Sequence, residues 1–182
     1  GNQLYNTDIH SSKYGIICDS SDIRKDKLLL NNCVIHNCKG YGIQAFSSVI
    51  DIENCQITNA LNDCVSITGG YTTLLQCTLG QFYPFHGDVG VALRFSNHIG
   101  NVPYPLYQIN VINSLITGFG DDKLMRDKDT TLTFKYRFIN CLICTPRVDK
   151  DTLFVNTLWE SPDSTASQSK NFRNIDYHNL YF

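Results

Sequence analysis

At 182 residues with 42% apolar side chains, the chain is long enough for one domain with a substantial core. Fifteen basic against 17 acidic residues give a formal charge of −2, and no Lys/Arg run exists to neutralise a phosphate backbone, so nucleic acid is not an expected partner. No apolar stretch approaches the length of a membrane span, and because the chain starts at Gly1 rather than Met, the lack of a signal peptide carries no information.

One signature recurs along the chain: a bulky apolar residue, any residue, Asn, a small residue, any residue, an aliphatic. It reads Leu4–Asn6–Thr7–Ile9, Leu30–Asn32–Cys33–Ile35, Ile52–Asn54–Cys55–Ile57, Leu74–Gln76–Cys77–Leu79, Val111–Asn113–Ser114–Ile116 and Phe138–Asn140–Cys141–Ile143. The Asn/Gln positions lie 26, 22, 22, 37 and 27 residues apart. A period in the twenties marks a solenoid whose coils bury their apolar faces only by stacking. Inward residues of a strand fall every second position. Ile50 and Ile52 obey that parity, as do Cys55 and Ile57, but Ile52 and Cys55 are three apart. One residue is therefore inserted between two strands, and Asn suits it because its short amide tolerates the left-handed region. Stacked corners would form an amide ladder.

A third strand follows in the early repeats: Gly15–Cys18, Gly42–Ala45, Cys64–Ile67 and Gly90–Leu93. The connections are too short for crossover helices. The expected fold is all-β, a single-stranded right-handed parallel β-helix (β-solenoid) of about six coils, with handedness following the crossover preference of parallel strands. Coils are expected over residues 1–160, with loop insertions at 81–105 and 118–130 and an irregular tail or cap over 161–182. Within the insertions, Gln81–Gly90 and Ser96–Pro105 bracket one strand, and Gly118–Lys123 occupies the matching corner of the next coil. Trp159 reads as a core cap.

Eight cysteines invite a disulfide or zinc reading. Four of them, Cys33, Cys55, Cys77 and Cys141, share one inward slot with Thr7 and Ser114, a slot that wants a small, weakly polar residue. Cys141-Leu142-Ile143-Cys144 matches a zinc half-site by letter but has no second half and sits in a strand. Free core thiols and no metal are expected. His10 and His36 occupy equivalent corners and read as a stacked surface pair.

The Asn-Cys-x-Ile repeat, the Tyr14-Gly15-Ile16 and Tyr41-Gly42-Ile43 steps, and the closing Trp159-Glu160-Ser161-Pro162-Asp163 with Asn171-Phe172-Arg173-Asn174-Ile175-Asp176 resemble the C-terminal part of right-handed β-helix proteins of Bacteroidetes. The resemblance places the chain in the pectate-lyase-like superfold. It implies an exported protein: secreted, periplasmic or on the cell surface. Members continue into a further cap, which implies that the rest of the same polypeptide is a neighbour.

Lyases of that superfold need Ca²⁺ held by carboxylates and a basic residue, and hydrolases need paired carboxylates. If Ile16, Ile43, Val65 and Val91 point inward, the outward residues Ile17, Gln44, Ser66 and Ala92 make a chemically quiet face. Asn6-Thr7-Asp8, His86-Gly87 and Gly120-Asp121-Asp122 echo a polygalacturonase signature, but in the wrong order and with the first two 80 residues apart. No catalytic residue is assigned and no cofactor is expected, Ca²⁺ entering only on a lyase reading. The candidate substrate-binding residues come from the loops: His86, Asp88, Arg94, His98, Asp121, Asp122, Lys123 and Arg126, with Tyr83, Phe85 and Tyr104 as rings for sugar stacking. Long loops on a rigid solenoid cluster on its binding face. The three loops are expected to wall one groove that holds a polysaccharide or oligosaccharide. The alternatives are a polysaccharide lyase or glycoside hydrolase, and a structural spacer or adhesin stalk.

Overall fold

The computed structural model describes residues 1–148 and 150–160. Strands, turns and irregular connections account for all of these residues, and apart from one short antiparallel hairpin the strands stack in parallel register. Seven short strands, from Asp8–His10 through Leu142–Cys144 to Leu158–Glu160, make one sheet. A ten-stranded sheet supplies the other two faces, joined where the long strands Ile43–Glu53 and Val65–Leu75 run through the bend between them. The inward positions form a continuous apolar column: Leu30, Ile52, Leu74, Val111 and Phe138 on one face, Ile35, Ile57, Leu79, Ile116 and Ile143 on the next. The tail expected over 161–182 lies outside the described residues.

The corners explain the repeat. Asn6, Asn32, Asn54, Gln76, Asn113 and Asn140 all have φ between 50° and 58°, in the left-handed region that Asn occupies more readily than other side chains. Asn156, at φ 49°, is a seventh corner that the signature missed because Trp159 stands where an aliphatic was required. The amides form the expected ladder in two runs. Asn54 donates to Asn32 and Asn32 to Asn6, while Asn156 donates to Asn140 and Asn140 to Asn113. Among the described residues, no amide bond joins Gln76 to either run. A second line of left-handed corners, Ser11, Asn37 and Asn59, ends the following strand in the first three coils.

The small slot after each corner does more than save space. The bend leaves a buried N–H without a ladder partner, and the slot residue of the next coil accepts it. Cys33 N–H donates to Cys55 Sγ at 3.3 Å, and Cys77 N–H donates to Ser114 Oγ at 3.0 Å. The same side chains donate in turn to carbonyls: Cys55 to Glu53 O, Cys77 to Ile52 O and Leu75 O, Ser114 to Ile112 O. A thiol or hydroxyl is both donor and acceptor, which is why Cys, Ser and Thr alternate there. All eight cysteines are free and buried. Burial pushes Cys55 up to about 11, and Cys64 and Cys77 up to about 12.

The Tyr-Gly-Ile steps have a steric cause. A Cβ at Gly42 would lie 2.5 Å from Cys64 O and 2.7 Å from Ile57 Cγ2, so the backbone turns where only glycine fits.

Two outcomes follow from these contacts. Replacing Asn32 by Ala should lower unfolding stability by about 2 kcal/mol, combining left-handed strain with two lost amide bonds, whereas Gly should cost roughly half as much. At Cys55 the usual preference for Ala over Ser in a core should invert. Cys55→Ser keeps the acceptor for Cys33 N–H, and Cys55→Ala should be less stable than it by about 1 kcal/mol in denaturant titration.

Candidate functional site

The third strand of the long coil sets the site. Leu93–Ser96 pairs with Val65–Thr68 on one side and Leu124–Asp127 on the other. Leu93 therefore takes the inward place expected for Val91, a shift of two residues. The outward column is Ile17, Gln44, Ser66, Arg94 and Met125, and Ala92 is fully buried. The expected quiet face thus carries a guanidinium. The register moved because Gly90 mimics the Gly42 step while serving another purpose. A Cβ on Gly90 would meet the Asn62 and Asp63 backbone at 2.3–2.6 Å, so the returning loop is pressed against the previous turn three residues before the strand begins.

Arg94 is oriented by Asp63. Its Nε donates to Oδ2 at 2.7 Å and its Nη2 to Oδ1 at 3.1 Å, while Oδ1 also accepts Val91 N–H at 2.9 Å. The Asp63 side chain is 4% exposed and that of Arg94 36%. Its hydrogen bonds to Asp63 raise the Arg94 pKa above its ordinary value. Arg94 Nη1 points the other way, onto Met125 Sδ at 2.7 Å.

Arg94, Asp63 and Asp88 line a cavity of about 340 Å³ together with Tyr41, Leu61, Asn62, Val89 and Gly90. Tyr41 stacks on Tyr14 at 6.4 Å, extending the aromatic wall one coil further. The loop that brings Asp88 is rooted by Gln81, whose Nε2 donates to Ala60 O and Asn62 O, and by Phe82 N–H, which donates to Asn59 Oδ1. His86 lies on the exposed loop and its Nδ1 accepts the Asp88 N–H at 3.1 Å. Phe85, 73% exposed, packs edge-on against Tyr83.

The other candidates are distributed elsewhere. Asp122 and Arg126 line a second cavity of about 250 Å³ with Met125 and Thr145. Asp122 accepts bonds from Leu124 N–H and the Thr145 hydroxyl. Asp121 is exposed and lines neither cavity. Lys123 is 7% exposed, and burial lowers its pKa, so its position in a polar loop did not make it a surface group. Arg126 donates to Tyr136 Oη at 2.7 Å and Asp151 Oδ2 at 3.1 Å and lies over the rings of Tyr136 and Phe154, sealing the interior where the third-strand stack ends. Trp159 packs on Phe154 against the core there.

His98 pairs with Asp127 at 3.2 Å on the antiparallel hairpin His98–Ile99/Val102–Pro103. That hairpin follows Ser96 while the Asp88 loop precedes Leu93, so the two insertions leave opposite ends of the same strand. Tyr104 packs on Phe46 there. The three loops therefore do not wall a single groove; the Asp88 loop and the Gly118–Lys123 turn share one corner, and the hairpin holds the other. The insertion expected over 118–130 also contains the strand Leu124–Asp127.

Sequence reasoning missed Asp63 and Tyr41. The signal was present: Gly15 N–H bonds Tyr41 O and Gly42 N–H bonds Asp63 O, so Tyr14, Tyr41 and Asp63 are one column in which a carboxylate replaces a ring. His10 and His36 do stack, at 5.1 Å, with Asp8 bonded to His36. For the Ca²⁺ of a lyase, the fit is poor. Among the described residues no group of three or more His, Cys, Asp or Glu side chains is placed to hold a metal ion, and Asp88 and Asp122 line different cavities. No helix among the described residues is long and apolar enough to cross a membrane.

Parallel coils closed by left-handed Asn corners, with one coil enlarged beside a polar face, define a β-solenoid. The family described as "Right handed beta helix region" matches residues 1–99, more than half of the chain, and the protein belongs to that family. Searches of curated proteins and of solved structures find no match to the chain.

Removing Arg94 strands a buried carboxylate, so Arg94→Ala should destabilise the fold by about 2 kcal/mol, less than a fully buried pair because water reaches the guanidinium side. The double variant Asp63→Asn/Arg94→Ala should recover part of that loss in a thermal-unfolding cycle.

Proposed function

We propose that this protein binds an extracellular polysaccharide, without cleaving it, along the outward face that carries Arg94. On this reading it works outside the cell, as a secreted, periplasmic or surface-displayed member of the pectate-lyase-like superfold. The observation that carries the proposal is the fixed guanidinium. Asp63 holds Arg94 in one orientation above a cavity flanked by Tyr41 and Asp88. Recognition of a sugar chain requires directed hydrogen-bond donors, acceptors and an aromatic surface, and these three residues supply one of each.

The same contacts favour binding over catalysis. A lyase would need Arg94 to take a proton, and its hydrogen bonds to Asp63 favour the protonated form. A hydrolase would need two carboxylates free to act as acid and base. Asp63 is already committed to Arg94 and to Val91 N–H, leaving Asp88 as the one uncommitted carboxylate in the cavity.

Binding should be weak, with Kd about 0.1–1 mM for a few hydrogen bonds and one ring. The test is a glycan-array screen followed by calorimetric titration of the best oligosaccharide against Asp88→Ala and Arg94→Lys. The Lys variant keeps a cation beside Asp63 but removes the forked donors. Both should weaken binding about tenfold, equivalent to about 1.4 kcal/mol, with unfolding temperatures close to that of the parent. Unchanged affinity in both variants overturns the site. Release of unsaturated uronates or new reducing ends from the bound glycan overturns the non-catalytic reading in favour of a lyase or hydrolase.

A further inference from the structure

The chain contains nine sulfur atoms, in eight cysteines and one methionine. All eight cysteines are buried in the solenoid. Met125 is 41% exposed, stands next to Arg94 in the outward column and lines the second cavity. Among the nine, it alone is open to an oxidant dissolved in the surrounding water. The thiols are further protected chemically, since the thiolate is the reactive form and burial raises the pKa of Cys55, Cys64 and Cys77.

The geometry around Met125 gives its oxidation a consequence. Two nitrogens of Arg94, Nε and Nη2, are occupied by Asp63, while Nη1 is directed at the Met125 sulfur. A thioether is a weak acceptor, so an oxygen acceptor on a ligand can compete with it for that donor. A sulfoxide replaces the weak acceptor with a polar S=O oxygen on the same atom.

We propose that Met125 is a reversible oxidation site whose sulfoxide captures Arg94 Nη1 and takes that donor away from any ligand on the outward face. In the forward step a peroxide transfers one oxygen to a sulfur lone pair. The O–O bond breaks, the S–O bond forms, and water leaves when the peroxide is hydrogen peroxide. In the reverse step a dithiol supplies two electrons and two protons through a methionine sulfoxide reductase, giving thioether, disulfide and water. The change in Arg94 stands on these contacts alone; its effect on glycan binding rests on the function proposed above.

The test treats the intact chain with hydrogen peroxide and maps oxygen by peptide mass spectrometry. Thiols are then counted in denaturant without reductant. One oxygen should appear at Met125 while all eight cysteines still titrate. The accessibility of Arg94 is read directly, without any glycan, as its rate of modification by phenylglyoxal in the mapped peptide. That rate should fall about fivefold after oxidation, as about 1 kcal/mol of added hydrogen bonding gives, and recover after reduction. Peroxide-treated Met125→Leu should show no change in rate. Oxygen appearing on cysteines before Met125, an unaltered Arg94 rate in oxidised protein, or loss of the β-sheet circular dichroism on oxidation would each overturn the proposal. If Arg94 is shielded but glycan affinity does not move, the switch stands and the assignment of the binding face fails.

Discussion

A parallel solenoid depends on repeating one sharp bend at the same angle in every coil, and here that bend is a single left-handed residue. Its conformational preference sets the angle between two faces, and its side chain carries the setting to the next coil. The backbone N–H just past the bend has nothing opposite it in the ladder. The thiol or hydroxyl of the following coil fills that role, so the polar and apolar demands of the corner meet in the residues Asn-Cys or Asn-Ser. Every inward aliphatic downstream inherits its register from this junction. A coil whose corner slipped by one residue would turn Ile35, Ile57 and Leu79 outward.

The candidate site arises where regularity is relaxed at a turn but retained in the strands. The coil between Gln76 and Asn113 is 37 residues long against 22 for its predecessor, yet Thr78 and Leu115 still pair in register. All the extra chain is placed at the two ends of the strand Leu93–Ser96. One end brings Asp88 beside Tyr41, and the other makes the hairpin around His98. Arg94 lies between them on the strand itself, where rigid pairing on both sides fixes its backbone. A charged residue there is tolerable because Asp63, in the preceding coil, replaces the ring that the column otherwise stacks.

How far the sequence reveals this depends on which constraint acts at each residue. The corner Asn positions were legible because a positive φ restricts the choice of residue locally. The Cys slot was legible as small and buried, but its hydrogen-bonding purpose appears only when two coils are placed in contact. The second line of corners at Ser11, Asn37 and Asn59 was missed because its residues vary and the line does not persist. Arg94 was recognised as a candidate, yet its strand was aligned two residues early, since Gly90 carries the letter of the Tyr-Gly-Ile step without its position. Lys123 and Arg126 show the reverse error. Both looked like loop charges, whereas one is buried and the other closes the core over Tyr136 and Phe154. Burial of a cation depends on partners far away in sequence, and a single sequence does not display them.

The interruption of the amide ladder at Gln76 divides the molecule in a way that strand pairing alone does not. Every ladder amide points its nitrogen toward the earlier coil, so each run is a chain of bonds polarised in one direction. Bonds aligned head to tail reinforce one another, and a break ends that reinforcement. Stability in a stack is summed between neighbours, so the two runs behave as separate cooperative blocks with a softer join between them. That join is the coil that carries the Asp88 loop, Arg94 and the His98 hairpin. Slow breathing of the backbone, of the kind amide exchange detects, is expected to concentrate in that coil, while the blocks on either side hold its ends in place.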